Sequence, residues 1–167
     1  MASTYSQIAT QTLGSAASSV TFSSIPQTYT NLVLISVCST SRVSSNASVD
    51  IQFNSDTSTN YSNTFMYGDG TTTTSSRASN ATSIWIGQTI GNSSTNPEIQ
   101  ITNINNYNNT TTYKTVLSRG NHPSQLVLAS VGLWRNTAAI TSIKLINEGG
   151  NNFIAGNTFT LYGIKGA

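Results

Sequence analysis

Along most of the chain, apolar side chains alternate one for one with hydroxyl and amide side chains. That period of two belongs to a β-strand whose two faces meet different surroundings. It is clearest near the end. Ile143 and Leu145 alternate with Ser142, Lys144 and Ile146; Phe159 and Leu161 alternate with Thr158, Thr160 and Tyr162. Between them residues 148–152 read Glu-Gly-Gly-Asn-Asn, types that tolerate positive φ and let the chain reverse. The pattern predicts a closing β-hairpin over 141–165, held in the body of the fold.

The same alternation recurs upstream. Residues 32–40 form a central strand, with Val33, Ile35 and Val37 on one face and Leu34, Ser36 and Cys38 on the other. Residues 47–54 point Val49, Ile51 and Phe53 inward and Asp50, Gln52 and Asn54 outward, joined to the previous strand by a hairpin loop over 41–46. A turn over 55–60 leads to an edge strand, 61–67, carrying Phe65. The polar stretch 68–76 reads as a long loop. Ile84 and Ile86 oppose Trp85; Ile99 and Ile101 mark a strand over 97–103; Val116 or Leu117 points inward from 113–119. The longest apolar run, 125–135, places Val127, Ala129, Val131 and Leu133 on one side and Leu126, Leu128 and Trp134 on the other. A short strand covers 20–22, ended by Pro26, which has no N–H to donate. Residues 1–19 form a first strand or an arm. Eight to ten short strands separated by turn signals are the mark of an all-β sandwich or barrel.

Composition agrees. Ser, Thr and Asn fill about four positions in ten and charged residues only 7%. These polar types favour strands, turns and caps over helix interiors. At 167 residues the chain is one domain, residues 20–167, preceded by the segment 1–19. Its single cysteine, Cys38, forms no internal disulfide and reads as a small buried residue. The seven bases stand singly and the net charge is +2, so no basic tract follows a nucleic-acid backbone. No apolar run approaches the ~20 residues of a membrane span. The N-terminus lacks a basic and apolar signal pattern, which predicts a protein made in the cytoplasm and not exported by that route.

Candidate chemistry is sparse. His122 is the sole histidine and reads as a loop residue before a proline. Asp50 and Asp56 are the available carboxylate pair, but one is expected on an outer strand face and the other at a turn. Residues 56–60 and Asp69 offer one carboxylate per loop, thin for Ca²⁺. Gly68-Asp-Gly70 is no phosphate cradle, because neither a helix nor a Lys-Ser/Thr pair follows. No metal or cofactor is implied. Trp85, Trp134, Tyr61, Tyr67, Tyr107 and Tyr113 offer either a sugar-stacking platform or inter-strand packing. Asn-x-Ser/Thr triplets such as Asn46-Ala-Ser follow from the composition.

Three stretches carry a family likeness: Ser19-Val-Thr-Phe-Ser-Ser-Ile-Pro-Gln-Thr-Tyr-Thr-Asn-Leu-Val-Leu34, Asp50-Ile-Gln-Phe-Asn-Ser-Asp-Thr-Ser-Thr-Asn-Tyr61, and Ile140-Thr-Ser-Ile-Lys-Leu145 with Gly156-Asn-Thr-Phe-Thr-Leu-Tyr-Gly-Ile164. In this wording of strands and turns the chain resembles virion structural proteins of tailed bacteriophages, including capsid decoration (cement) and fibre-like proteins. The resemblance implies a jelly-roll-like antiparallel β-sandwich, a homotrimer, on the exterior of the particle. It carries no catalytic residue. The expected role is a decoration protein that binds the major capsid protein and bridges its subunits, with avidity from trimerisation. Tyr5, Ile8 and Leu13 are the expected contact, through strand addition to a neighbouring edge. The alternative is a tail-fibre or receptor-binding module whose Tyr61, Tyr67, Tyr107 and Tyr113 meet host surface glycans. A third reading is a carbohydrate-binding module unrelated to virions.

Overall fold

The computed structural model describes residues 4–42, 46–90, 96–122 and 126–165. These residues build an all-β sandwich of two antiparallel sheets. The strands, in chain order, are β1 (Tyr5–Thr12), β2 (Ser19–Phe22), β3 (Asn31–Cys38), β4 (Asn46–Phe53), β5 (Tyr61–Gly68), β6 (Thr73–Ala81), β7 (Ile84–Ile90), β8 (Glu98–Asn105), β9 (Lys114–His122), β10 (Leu126–Trp134), β11 (Ile143–Asn147) and β12 (Thr158–Ile164). The large sheet runs β1-β12-β3-β8-β9-β10-β5-β6 and the small one β2-β11-β4-β7.

The principal core lies between the sheets. Leu32 and Leu34 of β3, with Phe159 and Leu161 of β12, meet Val49, Ile51 and Phe53 of β4 and Leu145 of β11. Each is the inward half of an alternating strand, so the expected binary pattern holds there. β7 lies across β8, β9 and β10, and small residues allow the approach. A methyl at Gly132 would collide with the Ile84 side chain, and one at Gly87 with the Gln100 amide.

The terminal strands do not form a hairpin. β11 belongs to the small sheet, between β2 and β4, while β12 belongs to the large one, between β1 and β3. The Gly/Asn-rich segment turns a corner between sheets. Phe153 anchors it by bridging both Ala17 and Thr40 and packing edge-on against Phe159 at 5.0 Å. Alternation reports that a segment is a strand; it does not report the partner. The expected β3–β4 hairpin fails for the same reason, since the two strands lie in different sheets.

Three further expectations are corrected. Of the expected loop 68–76, residues 73–76 belong to strand β6, paired along β5 and exposed almost throughout, which makes β6 the edge and β5 its inner neighbour. In β8 the inward face is Glu98, Gln100, Thr102 and Ile104; Ile99 is exposed and Ile101 half-exposed. His122 ends strand β9 and is buried.

The described part of the segment 1–19 enters the sandwich. β1 pairs along β12, and a register shift after Gln7 turns Ile8 onto the core. Leu13 also packs there, and its backbone exchanges hydrogen bonds with Gly156 and Asn157.

Candidate functional site

Two surfaces stand out, both created by the pieces that enlarge the large sheet. β9 extends that sheet from β8, β10 follows β9, and the β5–β6 hairpin attaches to β10.

The first surface is the outer face of this extension. Register sets Asn121 between Ile99 and Val127, and Leu117 between Asn103 and Val131. Met66 stands across from Ala129. Ile99, Leu117, Val127, Val131 and Met66 are 45–65% exposed. The side of the sheet turned to the interior carries Ser36, Gln100, Thr102, Ser118 and Ser130 instead. Several of these polar groups are paired: Thr102 and Ser118 hydroxyls bond at 2.9 Å, Ser130 Oγ donates to the Trp85 carbonyl at 2.7 Å, and Gln100 Nε2 donates to Glu98, while Ser36 Oγ and Gln100 Oε1 have no partner among the described residues. The usual distribution is inverted, with aliphatics outside and hydroxyls inside. Two arginines stand in the outer rows: Arg119, flanked by Ile101 and Ala129, and Arg77 on β6, beyond Val131 and Thr64.

The second surface is a groove of about 470 Å³ beside the outward side of β7. Trp85 points away from the principal core, opposite Ile84 and Ile86. It packs with Leu126, Leu128, Phe65 and Tyr67 in a separate cluster. The Phe65 and Trp85 rings lie 4.2 Å apart at 44°, and Phe65 and Tyr67 are nearly parallel at 6.4 Å. Asp50 and Asn63 line the same groove. Asp50 was expected on a wetted face, but it is 9% exposed and its Oδ2 accepts the Ser83 hydroxyl. Burial pushes its carboxyl up to about 6; the Ser83 bond opposes this and Glu148 adds to it. Its Oδ1 and the Asn63 Nδ2 are buried without a hydrogen-bond partner among the described residues.

The residues singled out by sequence scatter. Tyr61 and Tyr107 are fully buried and cannot meet a glycan. The Tyr61 hydroxyl bonds the backbone of Phe53 and Asp56, and that of Tyr107 donates to the Pro26 carbonyl. Burial raises both phenols, Tyr61 to about 12. Tyr113 is 52% exposed beside β9, and only Tyr67 reaches the groove. Tyr5 is exposed at the β1 edge, while Ile8 and Leu13 are committed to the core.

The carboxylates expected in loops serve their loops. Asp56 accepts from Trp134 Nε1 at 2.8 Å, from Asn60 and from the Ser58 N–H. Burial works to raise its carboxyl, but the bonds from Asn60, Trp134 and Ser58 prevail and hold it at about 2. Asp69 accepts the Thr72 and Thr71 N–H groups and both hydroxyls, which hold it well below the usual carboxylate range. Cys38 is buried in register with Glu98. Burial, and then the Glu98 charge, push its thiol up, which opposes thiolate chemistry. Burial lowers the His122 imidazole.

Of the six aromatics offered as a sugar-stacking platform, Trp85 and Tyr67 meet in the groove; Phe65 and Asn63, and the place of Asp50 beside them, were not read from sequence, because nothing in their spacing announces that the β5–β6 hairpin reaches β7. Searches against family models and against curated proteins gave no match to the chain.

Proposed function

We propose that the protein is a structural component of a tailed-bacteriophage virion, a capsid decoration protein that binds the head exterior and bridges major capsid subunits. The carrying observation is the inverted large sheet. A patch of exposed aliphatics over β8, β9, β10 and β5, spread over three neighbouring register rows with Asn121 and Arg119 among them, marks a face that another protein covers. Its charges are few, Arg119 among the aliphatics and Arg77 at the margin, which suits a broad apolar contact better than a charge-steered one. The contact is therefore assigned to Ile99, Leu117, Val127 and Val131. Ile8 and Leu13 are withdrawn from that role, since they hold β1 in the sandwich.

The strand order supports a jelly-roll reading. Setting aside β5, β6, β9 and β10 leaves eight strands. Renumbered in chain order, they are arranged 1-8-3-6 in one sheet and 2-7-4-5 in the other. Two interlocked Greek keys of this kind recur in viral capsid and lectin domains. The two inserted hairpins then supply much of the adhesive face.

The experiment is co-sedimentation of the purified protein with particles of the encoding phage that lack it. The proposal expects saturable binding by the wild type and at least about tenfold weaker binding by Leu117→Glu, whose fold is checked separately. Wild-type protein that stays in the supernatant, or a variant that binds equally well, would refute it.

A further inference from the structure

The groove beside Trp85 has a different chemistry from the aliphatic face. Its floor is aromatic: Phe65 and Tyr67 are half-buried and Trp85 is 9% exposed. Its wall holds an acceptor and a donor, Asp50 Oδ1 and Asn63 Nδ2, each buried and neither bonded to the described protein. Asp50 and Asn63 are 9% and 6% exposed. Unmatched buried polar atoms are costly, and these two belong to residues that line a groove where a bound polar group can match them. The hydroxyls of Ser76 and Ser83 add exchangeable donors and acceptors on the same lining.

We propose that this groove binds a neutral pyranose. A pyranose ring has an apolar C–H face that lies on Phe65 and Trp85. Its equatorial edge carries hydroxyls, each able to donate and accept at once. One hydroxyl donates to Asp50 Oδ1, and the same or the adjacent one accepts from Asn63 Nδ2. The groove volume of about 470 Å³ falls in the range of small-molecule sites and leaves room for one to two rings. A cation is poorly served, since Asp50 is the one carboxylate on the lining and Asn63 presents an N–H₂. An anion would meet the Asp50 charge. The assignment is independent of whether the protein sits on a particle.

The test is a titration of the ¹⁵N-labelled full chain with D-galactose, D-glucose, D-mannose and N-acetyl-D-glucosamine, each to about 100 mM, because single rings bind in the millimolar range. The signals followed are the Trp85 indole N–H and the Asn63 side-chain amide. The expected result is saturable movement of both with at least one pyranose, and none with the acyclic polyol sorbitol. Ser76 lies on the exposed edge strand opposite Phe65, so Ser76→Trp fills the groove without removing a core contact and abolishes the response. Asn63→Asp, which removes the donor at constant shape, weakens binding about tenfold. No saturable shift with any of the four sugars overturns the proposal, as water then suffices for the two polar atoms. Equal shifts with sorbitol, or unaltered binding by folded Ser76→Trp, overturn it as well.

Discussion

Glu98 and Ile99 are consecutive residues of β8, and the carboxyl group is the one that lies inside. Glu98 is 1% exposed and Ile99 45% exposed. Gln100 Nε2 donates to Glu98 Oε1 at 3.1 Å, and the Gln88 N–H also bonds the carboxylate. Burial outweighs both and raises the carboxyl from its ordinary 4.5 to about 8.

The first prediction concerns pH. An acid whose folded pKa lies above its unfolded one favours the fold when protonated. That contribution is complete below the ordinary 4.5 and is lost as pH rises through about 8. Asp50, raised from 3.8 to about 6, adds an earlier loss of the same sign. Denaturant melts should therefore show stability falling between about pH 5 and about pH 9. Glu98→Gln should flatten the upper part of that fall and add on the order of 3 kcal/mol at the alkaline end. A wild-type profile that rises with pH across this window contradicts the burial of a protonated Glu98.

How far this was legible from sequence varies by element. In β4 and β7, Val49, Ile51, Phe53, Ile84 and Ile86 announce the inward face, and they are all fully buried. In β8 the same reasoning points to Ile99 and Ile101, and it fails because β7 closes over the polar side. Gly87 sits against Gln100 there, a contact between strands distant in sequence. β6 is silent because Thr73–Ala81 has no apolar period; its strand character is borrowed from pairing with β5. The groove is silent for a related reason. Trp85 reads as the odd side of a strand, and only the reach of the β5–β6 hairpin brings Phe65 to it.

A second prediction follows from the close approach of β7. Gly132→Ala drives a methyl into Ile84 and should cost about 1–3 kcal/mol in chemical denaturation. Adding Ile84→Ala, which removes the Cγ2 and Cδ1 atoms that the methyl meets, should leave the double variant less destabilised than the two single changes summed. Independent, additive losses in the double variant would mean that the two side chains do not meet.

The buried tyrosines give a third. Tyr61→Phe and Tyr107→Phe each leave a backbone partner unmatched, at Asp56 and Pro26 respectively. Each should lower stability by about 1–2 kcal/mol without altering sugar or particle binding. Loss of binding at unchanged stability would restore them as contact residues.

A fourth concerns the N-terminal segment. Removing residues 1–13 strips β1 from β12 and withdraws Ile8 and Leu13 from the core. The truncated chain should lose about 3 kcal/mol or more and aggregate through the bared β12 edge. A truncated protein that melts like the full chain would show that β1 is a detachable arm.

The proposed capsid contact is the aliphatic outer face of β8, β9 and β10. A cryo-EM map of the assembled particle, resolved to side chains, is the decisive measurement. Leu117 and Val131 should lie within about 4.5 Å of capsid side chains and be shut off from solvent. A map in which the protein sits on the capsid by its small sheet, with Leu117 and Val131 facing water, would contradict it.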